Sequence, residues 1–166
     1  AKDDLLRAAL VLSVSAFDYF VHECVRVGMN AALSGHRPRT QQFGSFQVSM
    51  ETFMLGDPTA VDSEIRQRHG YLSFQQPKSV NDALRHVIPV SIWEYLADDW
   101  DEEVKYLKNY LSAIVRRRNQ IAHEADMDHS FPGTKNTITV EDTEEALEFL
   151  TQIVGGIKKC YDDYAV

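Results

Sequence analysis

A chain of 166 residues and 18.9 kDa is the size of one domain, and no shift in composition divides it, so a single domain over residues 1–166 is expected. Hydrophobic residues at 44% and charged residues at 25% exclude a disordered or fibrous chain. Seventeen Lys and Arg against twenty-five Asp and Glu leave a net charge of −8, which repels duplex DNA at long range but leaves room for a small basic site.

Residues 3–33 read as one long helix interrupted only by Gly28. Through LVLSVSAFDYFVHECV apolar residues occupy almost every face, the pattern of a central bundle helix or of one shared with a second subunit. Residues 34–45, with Gly35, Pro38 and Gly44, read as a loop. The segment 46–55 predicts a short amphipathic helix ended by Gly56-Asp57-Pro58, and 59–74 a further helix with Thr59 as N-cap. Pro77 and Pro89 frame a helix over 79–88, and 91–100 forms another that carries both tryptophans. Residues 101–125 give the clearest helix, with Asp101, Glu102 and Glu103 in its first turn and its basic residues later, as the helix dipole prefers. SFPGTKN reads as a loop, followed by a short extended piece and a last helix opened by a Thr139–Asp142 capping box. The fold class is therefore all-α, an up-and-down bundle of four to five main helices with short accessory helices.

Cys24 and Cys160 form no Cys-x-x-Cys pair and sit in helical patterns, so two buried thiols in a reducing compartment are expected, with neither disulfide nor metal. The first ten residues lack signal-peptide character, and no uninterrupted apolar run approaches a membrane span. The expectation is a cytoplasmic protein with no membrane contact and no cofactor.

Chemistry concentrates on the helix at 101–125. Leu107, Leu111, Ile114, Arg118, Ile121 and Ala125 follow alternating steps of four and three, so Arg118 stands in an apolar seam. A guanidinium there needs a partner or a cleft that admits an anion. Asn119 and His123 lie one turn apart on one side. Arg118 and His123 differ by about 140° around an ideal helix, so they edge one groove only if something completes it, such as a second copy of the helix. Arg116 and Arg117 lie elsewhere on the wheel in positions suited to solvent, and Arg117 is kept as a supporting group.

The string RRRNQIAHEAD (116–126) resembles the signature of the HEPN superfamily, an Arg followed four to six residues later by His, with a polar residue directly after the Arg. Arg118, Asn119 and His123 match it. LVLSVSAFDYFVHECV, IWEYLADDW and FPGTKNTITVEDTEEALEFL resemble the RiboL-PSP-type HEPN domains, so the likeness spans nearly the whole chain. The resemblance implies an all-α fold that dimerises through its motif helices, and metal-independent endoribonuclease activity on RNA. It implies that His123 acts as base or acid at the 2′-hydroxyl, that Arg118 holds the scissile phosphate, and that Asn119 orients one of them. A toxin or an antiphage or stress-response component, with an antitoxin partner, fits this reading. The alternative is a non-catalytic HEPN module that binds RNA, a nucleotide or a protein partner; the negative net charge favours it. Some HEPN toxins carry a Tyr two residues after the His that is nucleotidylated; here Ala125 stands at that position, which argues against regulation by that route.

Asp18 shares an apolar row with Val14, Val21 and Val25, so it is a candidate supporting group that pairs with Arg118 or orients His123, or else an edge residue in water. His22-Glu23 lacks the second histidine of a zinc motif, and His36, His69, His86 and His129 are expected at the surface or in loops. Gly155-Gly156 suggests a close helix crossing. Walker, Gly-x-Gly-x-x-Gly and Gly-x-Ser-x-Gly motifs are missing.

Overall fold

A computed structural model describes residues 2–131 and 133–165; Pro132, within the expected SFPGTKN loop, lies outside the described residues. Among the described residues eight helices follow one another: α1 (Lys2–Leu33), α2 (Gln41–Ser45), α3 (Met50–Leu55), α4 (Pro58–His69), α5 (Pro77–Leu84), α6 (Ile92–Trp100), α7 (Val104–Glu124) and α8 (Val140–Asp163). Among the described residues the only β feature is one isolated antiparallel bridge between Met127 and Lys135.

The centre is α1. Leu10, Val14, Phe17, Val21, Val25 and Met29 recur every three or four residues and are buried against α4, α5, α7 and α8. Each such side chain contributes roughly 1.5–3 kcal/mol by leaving water. The opposite face is equally apolar but uncovered, with Leu5, Leu12 and Tyr19 each about two-thirds exposed or more. So the all-round apolarity of this helix exceeds what one copy of the chain buries. By length and composition α1 is also long enough to cross a membrane, which corrects the expectation from uninterrupted runs. In the bundle it is the core helix.

Helix ends explain where the middle of the chain departs from expectation. Thr40 caps α2 through Phe43 N–H, which makes a helical turn inside the expected loop. Ser49 caps α3 in the same way, so that helix begins at Met50 and not at residue 46. Asp57, not Thr59, caps α4: its carboxylate accepts from Thr59 N–H at 2.9 Å, with Pro58 at the first helical position. That helix stops at His69, short of residue 74. Asp101 adopts a left-handed backbone (φ 55°) that ends α6, so α7 starts only at Val104 and the three acids precede it. Thr139 caps α8 as expected, accepting from Asp142 N–H at 3.0 Å.

Two contacts lock the layers. Asp62 on α4 accepts from Arg26 Nη1 and from Asn30 Nδ2 on α1, each at 2.6 Å. At Gly156 on α8 a Cβ would come within 2.2 Å of Leu96 Cδ2, so α6 and α8 do cross closely there, while a Cβ on Gly155 would meet open space. Cys160 is buried and Cys24 half-buried, both as free thiols that burial pushes up to about 12.

Candidate functional site

The motif lies on the last two turns of α7. The buried row Leu107, Leu111, Ile114 and Val115 fixes the upper part of the helix, then opens. Arg118, Asn119 and Ile121 are half-buried and His123 is exposed. Arg118 Nη1 donates to Asn119 Oδ1 at 2.9 Å, whereas Arg118 Nε is buried with no partner among the described residues. An unpaired buried donor typically costs about 1–3 kcal/mol, more when it is charged. The cavities that flank α7 are lined by Arg117 and Tyr110, not by Arg118 or His123. In one copy of the chain the motif is thus a ridge and not a pocket.

Below the ridge, two successive residues adopt left-handed backbone: Ala125 (φ 52°) caps α7 and Asp126 (φ 60°) turns the chain away. Left-handed geometry costs a non-glycine residue roughly 1–2 kcal/mol, and local contacts must offset it. Asp126 N–H donates to Gln120 O at 3.0 Å, and Asp126 O accepts from Asn136 N–H at 2.8 Å. Its carboxylate is fully buried. It accepts from Arg7 Nε at 2.6 Å, from Arg117 Nη2 at 3.0 Å together with a second bond from Arg117 Nη1, and from Asn136 Nδ2 at 3.2 Å. Arg7 Nη2 also donates to Asn136 O (2.8 Å) and Arg117 Nη2 to Thr137 O (3.0 Å). One carboxylate therefore ties the start of α1, the end of α7 and the strap that leads to α8.

Arg117 is thus a structural partner of Asp126 and not a solvated residue. Asp18 lies elsewhere in the chain. Its carboxylate accepts from Phe74 N–H at 2.6 Å and Gln75 Nε2 at 3.1 Å, and stands 3.7 Å from His22 Nε2. It pins the segment after α4 to α1, and within the chain it pairs with neither Arg118 nor His123.

His69 corrects the expectation of a surface or loop residue. It is buried at the end of α4, with its ring against His22 (centroids 6.3 Å), Phe74 (5.3 Å), Phe46 (5.7 Å) and His86 (6.2 Å). Its Nδ1 has no partner, and burial, with His86 and His22 nearby, pushes the imidazole down to about 4. Among the described residues no group of three His, Cys, Asp or Glu is arranged to hold a metal ion.

Sequence reasoning missed Arg7, Asp126 and Asn136. A signal was present at Arg7, which stands in register with Leu10, Val14 and Phe17 on the buried face of α1. Asp126 had none, because its burial depends on partners 119 and 9 positions away.

An all-helical bundle with an Arg-Asn-x3-His ridge at the end of α7 has the outline of the HEPN class of domain. The family model for RiboL-PSP-HEPN matches residues 1–163, and the chain belongs to that family. The family is one of ribonuclease-like or nucleotide-related modules. No curated protein and no solved structure matches the chain.

Proposed function

We propose that the chain is a metal-independent endoribonuclease whose working site forms between two copies. The observation that carries this reading is Arg118, a half-buried guanidinium with an unsatisfied Nε on a ridge beside Asn119, one turn from an exposed His123. A scissile phosphate answers that deficit, since it offers acceptor oxygens in the fork geometry a guanidinium presents. His123 removes the proton from a ribose 2′-hydroxyl, whose oxygen bonds to phosphorus as the bond to the 5′-oxygen breaks. A second His123, from the other copy, returns a proton to that leaving oxygen. The products are a 2′,3′-cyclic phosphate and a 5′-hydroxyl, with no water consumed. Arg118 neutralises charge that grows on the phosphoryl oxygens, and Asn119 holds the guanidinium in place through its Oδ1. The uncovered apolar row of α1 supports a second copy as the completing surface. A cytoplasmic toxin or defence protein, held in check by an antitoxin partner, is the role that suits this chemistry.

The test is cleavage of end-labelled single-stranded and structured RNA in excess EDTA. Arg118→Ala and His123→Ala should each abolish cutting and leave the helical circular dichroism unchanged. Equal cutting by the parent and both variants means contamination, and the nuclease reading falls. RNA binding without cutting, lost in Arg118→Ala, favours the non-catalytic module.

A further inference from the structure

A groove runs between α7 and α8 on the side of the motif helix away from Asn119 and His123; Arg118 follows its floor residues Leu107 and Ile114 in one seam but lines neither cavity. Two cavities of about 220 and 400 Å³ meet there, with Tyr110 and Glu145 lining both. From Tyr106 to Arg117 the α7 wall rises through eleven steps of 1.5 Å, about 16 Å. The floor is apolar, with Leu10, Ile114 and Ala146 in the smaller cavity and Leu107 in the larger. Aromatic rings form the wall: Tyr110 lies 4.4 Å from Phe149 and 6.0 Å from Tyr106, centroid to centroid, and Trp100 closes the far end. Tyr106 is half exposed.

Apart from Arg117, the charge along this groove is negative. Glu102, Asp142, Glu145 and Glu148 line it, and none forms an ion pair among the described residues. The Asp142 carboxylate accepts only from the Thr139 hydroxyl, at 2.7 Å, and Glu148 only from Gln152, at 3.4 Å. The single cation on the lining, Arg117, is already committed to Asp126 and Thr137 O. Burial raises the Tyr110 hydroxyl above its ordinary value, and the negative field of Glu145 adds to it. Elsewhere the acids of this chain are repeatedly matched: Asp62 with Arg26, Glu64 with Arg68, Asp82 with Lys78. Other acids, Glu51 and Glu94 among them, also form no ion pair among the described residues, but the groove sets four together beside Tyr106, Tyr110 and Trp100.

We propose that the α7–α8 groove docks an extended Arg- and Lys-rich segment of a partner protein. About five residues of extended chain span 16 Å. Guanidinium groups stack on Tyr106 and Trp100 and pair with the flanking carboxylates, while apolar side chains of the segment enter the two cavities. Phosphate-bearing RNA is repelled from this surface. Docking does not depend on the nuclease reading.

The experiment is fluorescence anisotropy of a fluorescein-labelled octapeptide of alternating Arg and Leu with the full chain, in which no activity is read. The pair Glu145→Gln with Glu148→Gln, and separately Tyr106→Ala, should each weaken binding at least tenfold; all three positions are exposed, so the fold survives. Removing the same charge off the groove, by Glu51→Gln with Glu94→Gln, should change affinity less than twofold. Equal weakening by both pairs means diffuse attraction by net charge and overturns the proposal. So does displacement of the peptide by spermine at equal charge concentration, or by a ten-nucleotide oligouridylate. If docking holds and cleavage is absent in the RNA assay, the nuclease reading fails alone.

Discussion

Arg7 and Asp126 stand 119 positions apart in the sequence and meet in a buried ion pair, Nε to Oδ2 at 2.6 Å, beneath the last turn of the motif helix. Removing the acid strands two arginines, so Asp126→Ala should cost about 3–5 kcal/mol. Arg7→Met should cost less, because Arg117 still holds the carboxylate. Urea unfolding followed by circular dichroism reads both. Equal losses would show that Arg117 contributes nothing to the clamp.

Neighbouring glycines on α8 should respond with opposite signs. Gly156→Ala drives a Cβ into Leu96, which is packed in the core, and Trp100, which packs against it, and should destabilise by about 1–3 kcal/mol. Gly155→Ala meets no atom and removes a helix-interior glycine, so a gain of up to about 1 kcal/mol is expected. Thermal melts of the two variants provide the comparison.

His69 should make the fold sensitive to acid. Its folded value is pushed down to about 4, while an unfolded histidine titrates near 6.5. Its contribution is fully present above pH 6.5. As the pH falls from there towards 4, the unfolded chain binds a proton that the folded chain refuses, and stability is lost. The loss is on the order of 2–3 kcal/mol by pH 4. His69→Phe, which suits a site walled by Phe46 and Phe74, should flatten this part of the profile. Urea midpoints at pH 7, 6, 5 and 4 for the two proteins test it: parallel profiles would mean that His69 is protonated in the folded state.

The uncovered face of α1 should join two copies. Light scattering at tens of micromolar should give twice 18.9 kDa for the parent chain and 18.9 kDa for Leu12→Glu. Leu12 is 69% exposed, so the substitution leaves the protomer folded. A parent chain that is monomeric at that concentration removes the composite site.

Long-range periodicity made much of this architecture readable. The spacing of Val14, Val21 and Val25, and of Leu107, Leu111 and Ile114, announced α1 and α7, and Thr139 marked the start of α8 by its own side-chain chemistry. The middle third was harder because its helices are five to twelve residues long, and a single cap then decides where each begins. Asp57 and Pro58 outcompete Thr59 in that way. At the site, the motif residues were legible as a string. What holds them was not, because no local pattern reveals that Asp126 meets Arg7 or that Asp18 turns towards Phe74. The rule that picked out Arg118, a cation in an apolar row, applies with more force to Arg7.

The clamp also dictates an order of events during synthesis. Arg7 leaves the ribosome first, on a helix whose inner and outer faces are both apolar, and Asp126 follows more than a hundred residues later. At roughly 5–20 residues per second, α1 spends several seconds without α7 or α8 to cover it. Throughout that interval the nascent chain exposes its stickiest surface, and the end of the motif helix has nothing to fasten to. The ridge that bears His123 therefore takes its final shape only after more than a hundred residues beyond Arg7 have been made.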